Sequence, residues 1–312
     1  MENFLVAVNT VLPLFLTIGI GVLTRRKGWI SASAAREANG LCFKVFISTL
    51  LFHNLYTADL KTALSPRLLA LCLGCILLEF TLGMLLIPRI ESSNPARGAM
   101  IQSFFRTNCI LMGLPMATTL YGAGEIGPVA VMSPFATLSF NVLAVITLEV
   151  FRRSTPDSRK ILRGIVTNPL IIASVLGVAC NLSGLRLPDI LENVVSSIAK
   201  AASPMSLVLM GASLDFGRMR GMKRNLLLSC IMRLLVFPGV FLSIAIAMGF
   251  RGSALCAVLV IFGTSVAVNS YTMALQMDSD ADLAGGIVLT STAISCVTLF
   301  LWIWLLKALA LL

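Results

Sequence analysis

The chain holds one histidine in 312 residues, His53, and only 14 acidic residues against 24 basic ones. A lone imidazole excludes sites built on several histidine ligands, and no cofactor is called for. Charged residues make up 12% of the chain, about half of the roughly 25% usual for a soluble domain. The sequence contains no H-E-x-x-H, no G-x-S-x-G and no pair of aspartates inside an apolar run, so the common constellations of an intramembrane enzyme are missing. The eight cysteines, at 42, 72, 75, 109, 180, 230, 256 and 296, all fall in apolar stretches, where a thiol behaves as a small hydrophobe. A disulfide framework is not expected. Cys72 and Cys75 form a C-x-x-C without a second pair or a nearby histidine, and helix packing is the simpler reading than metal or redox chemistry.

What the chain has in excess is apolar sequence: 57% hydrophobic residues and a mean hydropathy of +0.93. The apolar residues recur in runs of about 20, the length that crosses a hydrocarbon core of about 30 Å. Charged and Gly/Pro/Asn breaks divide them into ten expected helices near 4–23, 36–56, 67–88, 98–121, 128–150, 164–183, 191–214, 225–249, 253–276 and 283–309. The first run begins at Phe4 behind Glu2, with no basic n-region, and reads as a helix rather than a cleaved signal. The fold class is therefore an all-α, multi-pass integral membrane protein.

Loop charge orients the spans. Loops after the first, third, fifth and seventh spans carry fifteen basic residues, whereas the even loops carry four, namely Lys61, Arg67, Arg186 and Arg251. The positive-inside rule then puts the odd loops in the cytoplasm and both termini outside. It also accounts for the net charge of +10 through contact with membrane lipid headgroups, without a nucleic-acid partner. The longest basic loop, 151–163, divides the chain into a first repeat at 1–150 and a second at 164–312, each of five spans. Five is odd, so two similar halves must be inverted, the plan of many secondary transporters. Arg97-Gly98 and Arg251-Gly252 open the fourth and ninth spans at an offset of 154, and Lys44 and Lys200 are offset by 156.

Polar or broken stretches at membrane depth mark candidate sites, because they are costly unless they face protein or a water-filled cavity. In the fourth span, Gly113 and Pro115 are expected to interrupt the helix near mid-membrane. In the ninth, Gly263, Thr264, Ser265 and Asn269 form a second small, polar centre. Two such breaks would bring together half-helix N-termini with unpaired N–H groups, an anion site. Arg106 lies about 12 Å deep at 1.5 Å per residue; it either snorkels, pairs with Glu79 or neutralises a bound anion. Asn108 and Asn269 either contact a ligand or cap a broken helix. Glu79 and Arg233, in the third and eighth spans, read most simply as a structural pair. Lys44 and Lys200 are placed nearer helix ends, where snorkelling is favoured. His53, near the end of its span, is a candidate proton relay, and Asp278, Asp280 and Asp282 read as a solvated acidic loop.

The string NCILMGLPMATTLYG, Asn108 to Gly122, resembles the broken fourth helix of the auxin efflux carrier family. The resemblance extends to NPLIIASVLGVACNLSGLRLP at 168–188, PMSLVLMGASL at 204–214 and AVNSYTMAL at 267–275. It implies ten helices in two inverted five-helix repeats, a scaffold beside a transport domain with two crossing broken helices, and Asn108, Gly113, Pro115 and Asn269 at the crossing. Bacterial relatives are thought to carry dicarboxylates such as malonate and malate, and plant relatives export auxin, itself a carboxylate. Ser265 stands where the family often has proline, so the second break must form without one. The short 151–163 loop favours the bacterial type, in an inner membrane. The expected function is a secondary carrier of a small organic anion working by alternating access, with proton coupling and a homodimer as further expectations. A channel or an intramembrane enzyme is the alternative.

Overall fold

The computed structural model describes residues 2–58, 65–122, 124–152 and 158–312. Lys61 and Arg153, counted above among the loop charges, lie outside the described residues. The first half contains α1 (Glu2–Arg26), α2 (Ala32–Leu41) running through a π-helical turn (Cys42–Ile47) into α3 (Ser48–Tyr56), α4 (Pro66–Ile90), α5 (Asn94–Phe105), a π-helical turn (Cys109–Gly113) leading into α6 (Leu114–Tyr121), and α7 (Gly127–Phe151). Next come α8 (Ser158–Val166), α9 (Pro169–Ser183), α10 (Asp189–Ser213) and the short α11 (Phe216–Met219). After a 3-10 turn (Arg220–Met222), α12 (Lys223–Ile231) passes through a π-helical turn (Met232–Val236) into α13 (Phe237–Ala247). The chain ends with α14 (Gly252–Gly263), α15 (Asn269–Gln276) and α16 (Ala281–Ala308).

Local chemistry sets these boundaries. Ser31, Ser65, Asn168 and Asp280 accept backbone N–H groups from the first turns of α2, α4, α9 and α16, satisfying donors that have no intrahelical partner. Pro66 and Pro169 open their helices, where the missing N–H costs nothing. Among the described residues, five helical runs are long and apolar enough to cross a membrane: Pro66–Ile90, Gly127–Phe151, Asp189–Ser213, Lys223–Ala247 and Ala281–Ala308. Large apolar side chains such as Leu77, Val175, Leu182, Val240, Leu301 and Trp304 remain exposed, a surface suited to lipid rather than water.

Every apolar segment expected from the sequence contains helix, with three corrections. The sixth, expected at 164–183, is divided between α8 and α9 by the Asn168-Pro169 start, because proline disfavours helix at the residue before it. The expected loop 151–163 is helical from Ser158, and α8 alternates Arg159 and Arg163 with Ile161, Leu162 and Ile165, an amphipathic pattern rather than a continuous apolar run. The acidic loop is structured rather than simply solvated: Asp280 caps α16 and Asp278 pairs with Arg152 at 2.8 Å.

Loop contacts sort into two faces. On one, Arg152 meets Asp278, Asn225 donates to Glu91 at 2.6 Å, and Asp280 N–H donates to Pro95 O at 3.1 Å. These join the connections after the third, fifth, seventh and ninth segments. On the other, Asn181 donates to the carbonyls of Leu55, Tyr56 and Ala58, Leu187 N–H donates to the Tyr56 hydroxyl, and Gly252 N–H donates to Leu311 O. α1 packs on α10 at a very close backbone approach: a Cβ on Gly21 would overlap Val208 O and one on Gly211 would overlap Ile18 O. Small residues of this kind let helices associate closely where the surroundings are apolar.

Candidate functional site at two helix breaks

α5 ends at Phe105 and helix resumes at Cys109; α14 ends at Gly263 and helix resumes at Asn269. The two intervening extended segments lie against each other. Thr107 and Val266 form an antiparallel bridge, Asn108 N–H donates to Ser265 O at 2.9 Å, and Ala267 N–H donates to Arg106 O at 3.3 Å. The Thr107 and Thr264 hydroxyls are also in contact. Each break thus satisfies the backbone groups of the other, which is what allows non-helical backbone to persist in an apolar interior.

The ninth-segment break falls where Gly263, Ser265 and Asn269 suggest. The fourth-segment break does not: it lies at Arg106–Asn108, seven residues ahead of the expected Gly113-Leu114-Pro115. Pro115 sits inside continuous helix directly after the π-helical turn. A widened turn relieves the clash between the proline ring and the preceding carbonyls, so proline passes without ending the helix.

The arrangement separates the poles of four half-helices. The N-termini at Cys109 and Asn269 carry partial positive charge, and the C-termini at Phe105 and Gly263 partial negative charge. Arg233, fully buried, serves the negative ends: its guanidinium donates to Phe104 O at 2.9 Å, Ile261 O at 2.6 Å and Thr264 O at 3.2 Å, and its Nη1 lies 3.3 Å from Glu79 Oε1. The sequence reading of Glu79 and Arg233 as partners therefore holds, and the alternative of Arg106 with Glu79 does not. The reach of Arg233 to both breaks is not legible in the sequence.

The positive ends border a cavity of about 320 Å³ whose lining includes Asn54, Arg106, Asn108, Asn141, Lys200 and Asn269. That volume lies within the range of small-molecule sites. Arg106 is 2% exposed, with Nη2 donating to Asn141 Oδ1 at 2.9 Å and Nη1 against Met273 Sδ. Among the described residues no carboxylate reaches it, and none lines the cavity. The Nδ2 groups of Asn54 and Asn108 are buried without a hydrogen-bond partner. Neither Asn108 nor Asn269 caps a helix through its side chain, so of the two readings open for them capping is not the one adopted.

Three of the expected contact residues stand elsewhere. Gly113 packs against Val260, where a Cβ would overlap, and Pro115 is exposed on α6. Ser265 is buried behind the break, donating to Met112 Sδ at 2.9 Å and accepting from Thr292 at 3.2 Å. His53 is half-buried and does not line the cavity. Lys200, expected near a helix end, is eleven residues into α10 and lines the cavity. Asn54 and Asn141 were not singled out by sequence; an asparagine inside the apolar run of α7 is the signal that could have found the second.

Residues 155–303 match the family model described as a membrane transport protein. The chain is also similar to a protein named an uncharacterized transporter from Methanothermobacter thermautotrophicus, 25% identical over 300 residues that cover 96% of this chain and 98% of the relative. With the long apolar helices, these matches support a multi-pass membrane protein similar to membrane transport proteins. Both agree with the particular resemblance, to the auxin efflux carrier family, carried by Asn108–Gly122 and the three later strings.

Proposed function

We propose that the protein is a secondary transporter that moves a small carboxylate by alternating access, through ten transmembrane helices in two inverted five-helix repeats. The observation that carries the anion reading is the cavity chemistry. Arg106 and Lys200 contribute positive charge, Asn54 and Asn108 offer buried unpartnered N–H donors, and among the described residues no carboxylate lines the space. An anion meeting these groups gains charge-assisted hydrogen bonds to Arg106 and the free amides, while two half-helix N-termini add partial positive charge.

The repeat is supported by paired features. A break in the fourth segment meets a break in the ninth, and Arg97 in the first turn of α5 and Arg251 just ahead of α14 each donate to carbonyls at or after the end of the preceding helix. The sorting of loops onto two faces supports ten crossings, and the basic excess on the odd loops favours a cytoplasmic position for that face in an inner membrane. Proton coupling is the favoured drive, since no cage of carboxylates for a metal cation lies near the site among the described residues.

The test is uptake of labelled malonate and related carboxylates into proteoliposomes. Saturable uptake with trans-stimulation by unlabelled carboxylate is expected. Non-saturable flux without trans-stimulation would identify a channel instead.

A further inference from the structure

Lys44 and Lys200 are two mid-helix cations that neither the Glu79 pair nor the Arg106 contacts absorb. Lys44 lies in the turn Cys42–Ile47, twelve residues from Ala32 and twelve from Tyr56. Lys200 is eleven residues from the start of α10 and thirteen from its end. At 1.5 Å per residue each is about 17 Å from the nearest helix end, further than a four-carbon stem carries an ammonium. Snorkelling therefore does not explain them. A charge held at that depth must face a water-filled cavity or a partner. Among the described residues neither lysine makes an ion pair, both are exposed, and each lines a different cavity.

The cavities lie on opposite sides of the breaks. Lys200 shares the 320 Å³ cavity with Arg106 and Asn108, and its lining reaches Asn54, close to the end of α3 and hence to the even-loop face. Lys44 lines a cavity of about 890 Å³ with Arg36, Glu37, Gln276 and Asp278, residues of the odd-loop face. The helices bearing the two lysines pack directly on each other, and the lysines are related by nearly the same offset as the two halves.

We propose that Lys44 and Lys200 are matched charge stations, one on each half of the transport path. Lys200 draws the anion to the breaks from the even-loop side, and Lys44 draws it from the odd-loop side. This rests on the anion-carrier reading above. A single cation on a low-dielectric wall concentrates anions locally and raises their rate of arrival. Glu37 and Asp278 share the Lys44 cavity, so its field is the weaker of the two.

The deciding experiment needs no transported substrate. Reporter cysteines replace Ser203 in the Lys200 cavity and Leu41 in the Lys44 cavity, in a background where Cys109, Cys180 and Cys296 are serine. Each reporter is labelled with small anionic and cationic thiosulfonates from either face. At Ser203→Cys, Lys200→Met should lower the anionic-to-cationic rate ratio about tenfold, the order expected for one charge at close range, while Lys44→Met leaves it unchanged. At Leu41→Cys the dependence reverses and is smaller, and arginine at either position restores the ratio. Misfolded variants are recognised by loss of a monodisperse peak, and Lys→Gln then replaces Lys→Met. Equal dependence of both reporters on both lysines, or on neither, overturns the proposal. Failure of malonate and its relatives to be taken up by the unmodified protein would instead refute the anion-carrier reading, with the labelling pattern intact.

Discussion

Arg233 and Glu79 form a fully buried ion pair at 3.3 Å, and the same guanidinium holds backbone carbonyls from both broken segments. The pair is therefore a fastening for the two breaks. Removing one member of a buried pair leaves an uncompensated charge, at a cost of about 3–5 kcal/mol. Glu79→Ala should lower the melting temperature in detergent through the charge left on Arg233. Arg233→Met should lower it further, because three carbonyls lose their donor as well. If Arg233→Met melts like the unmodified protein, the breaks are held by other means.

Gly113 occupies a close approach to Val260 rather than a place in the cavity. Gly113→Ala should cost about 1–3 kcal/mol, the range for overpacking, and Val260→Ala in the same chain should return most of it. Melting curves of the single and double variants check this. Absence of recovery would mean that Gly113 serves some purpose other than packing.

The apolar segments were legible because hydropathy over some twenty residues is a summed signal that tolerates local noise. The ninth break was legible too, since Gly263, Ser265 and Asn269 stand inside an otherwise apolar run and the helix stops at Gly263 and restarts at Asn269. The fourth was displaced because Pro115 is the louder local signal, yet a π-helical turn absorbs it. The true break has neither glycine nor proline, and its backbone is satisfied by residues more than 150 positions away. Asn54 and Asn141 escaped for a similar reason: only tertiary packing brings them beside Arg106. Lys44 lies deeper than expected because the Ser31 cap starts α2 at Ala32, four residues ahead of the apolar run, whereas α10 starts only two residues ahead of its run, so the mid-helix place of Lys200 was already present in the spacing.

The asparagines and Ser265 should separate under substitution. Asn108→Ala and Asn54→Ala remove free donors at the cavity and should weaken carboxylate binding about two- to tenfold, the worth of one neutral hydrogen bond. Ser265→Ala, behind the break, should change stability while leaving affinity within about twofold. Titration of each purified variant by calorimetry decides. Equal losses from all three would place Ser265 in the site after all.

Glu91, in the connection after α4, accepts the Ser93 N–H at 2.9 Å and the Asn225 amide at 2.6 Å, and these bonds hold its carboxyl below the ordinary value of 4.5. A carboxyl lowered in the folded state stabilises above its unfolded value, and that stabilisation is lost as pH falls through the folded one. The unmodified protein should melt above Glu91→Gln at neutral pH, and the two curves should converge as pH drops below 4.5. A constant difference across that window would remove Glu91 as the cause.

The central claim is that an anion binds at the breaks beside Arg106, and affinity for malonate or the best-bound carboxylate in Arg106→Gln tests it most directly. Arg106 has no carboxylate partner among the described residues, so its loss should spare folding while weakening binding by about 1.5–3 kcal/mol, roughly 10- to 150-fold. An Arg106→Gln variant that folds normally and binds the carboxylate with unchanged affinity would contradict the account.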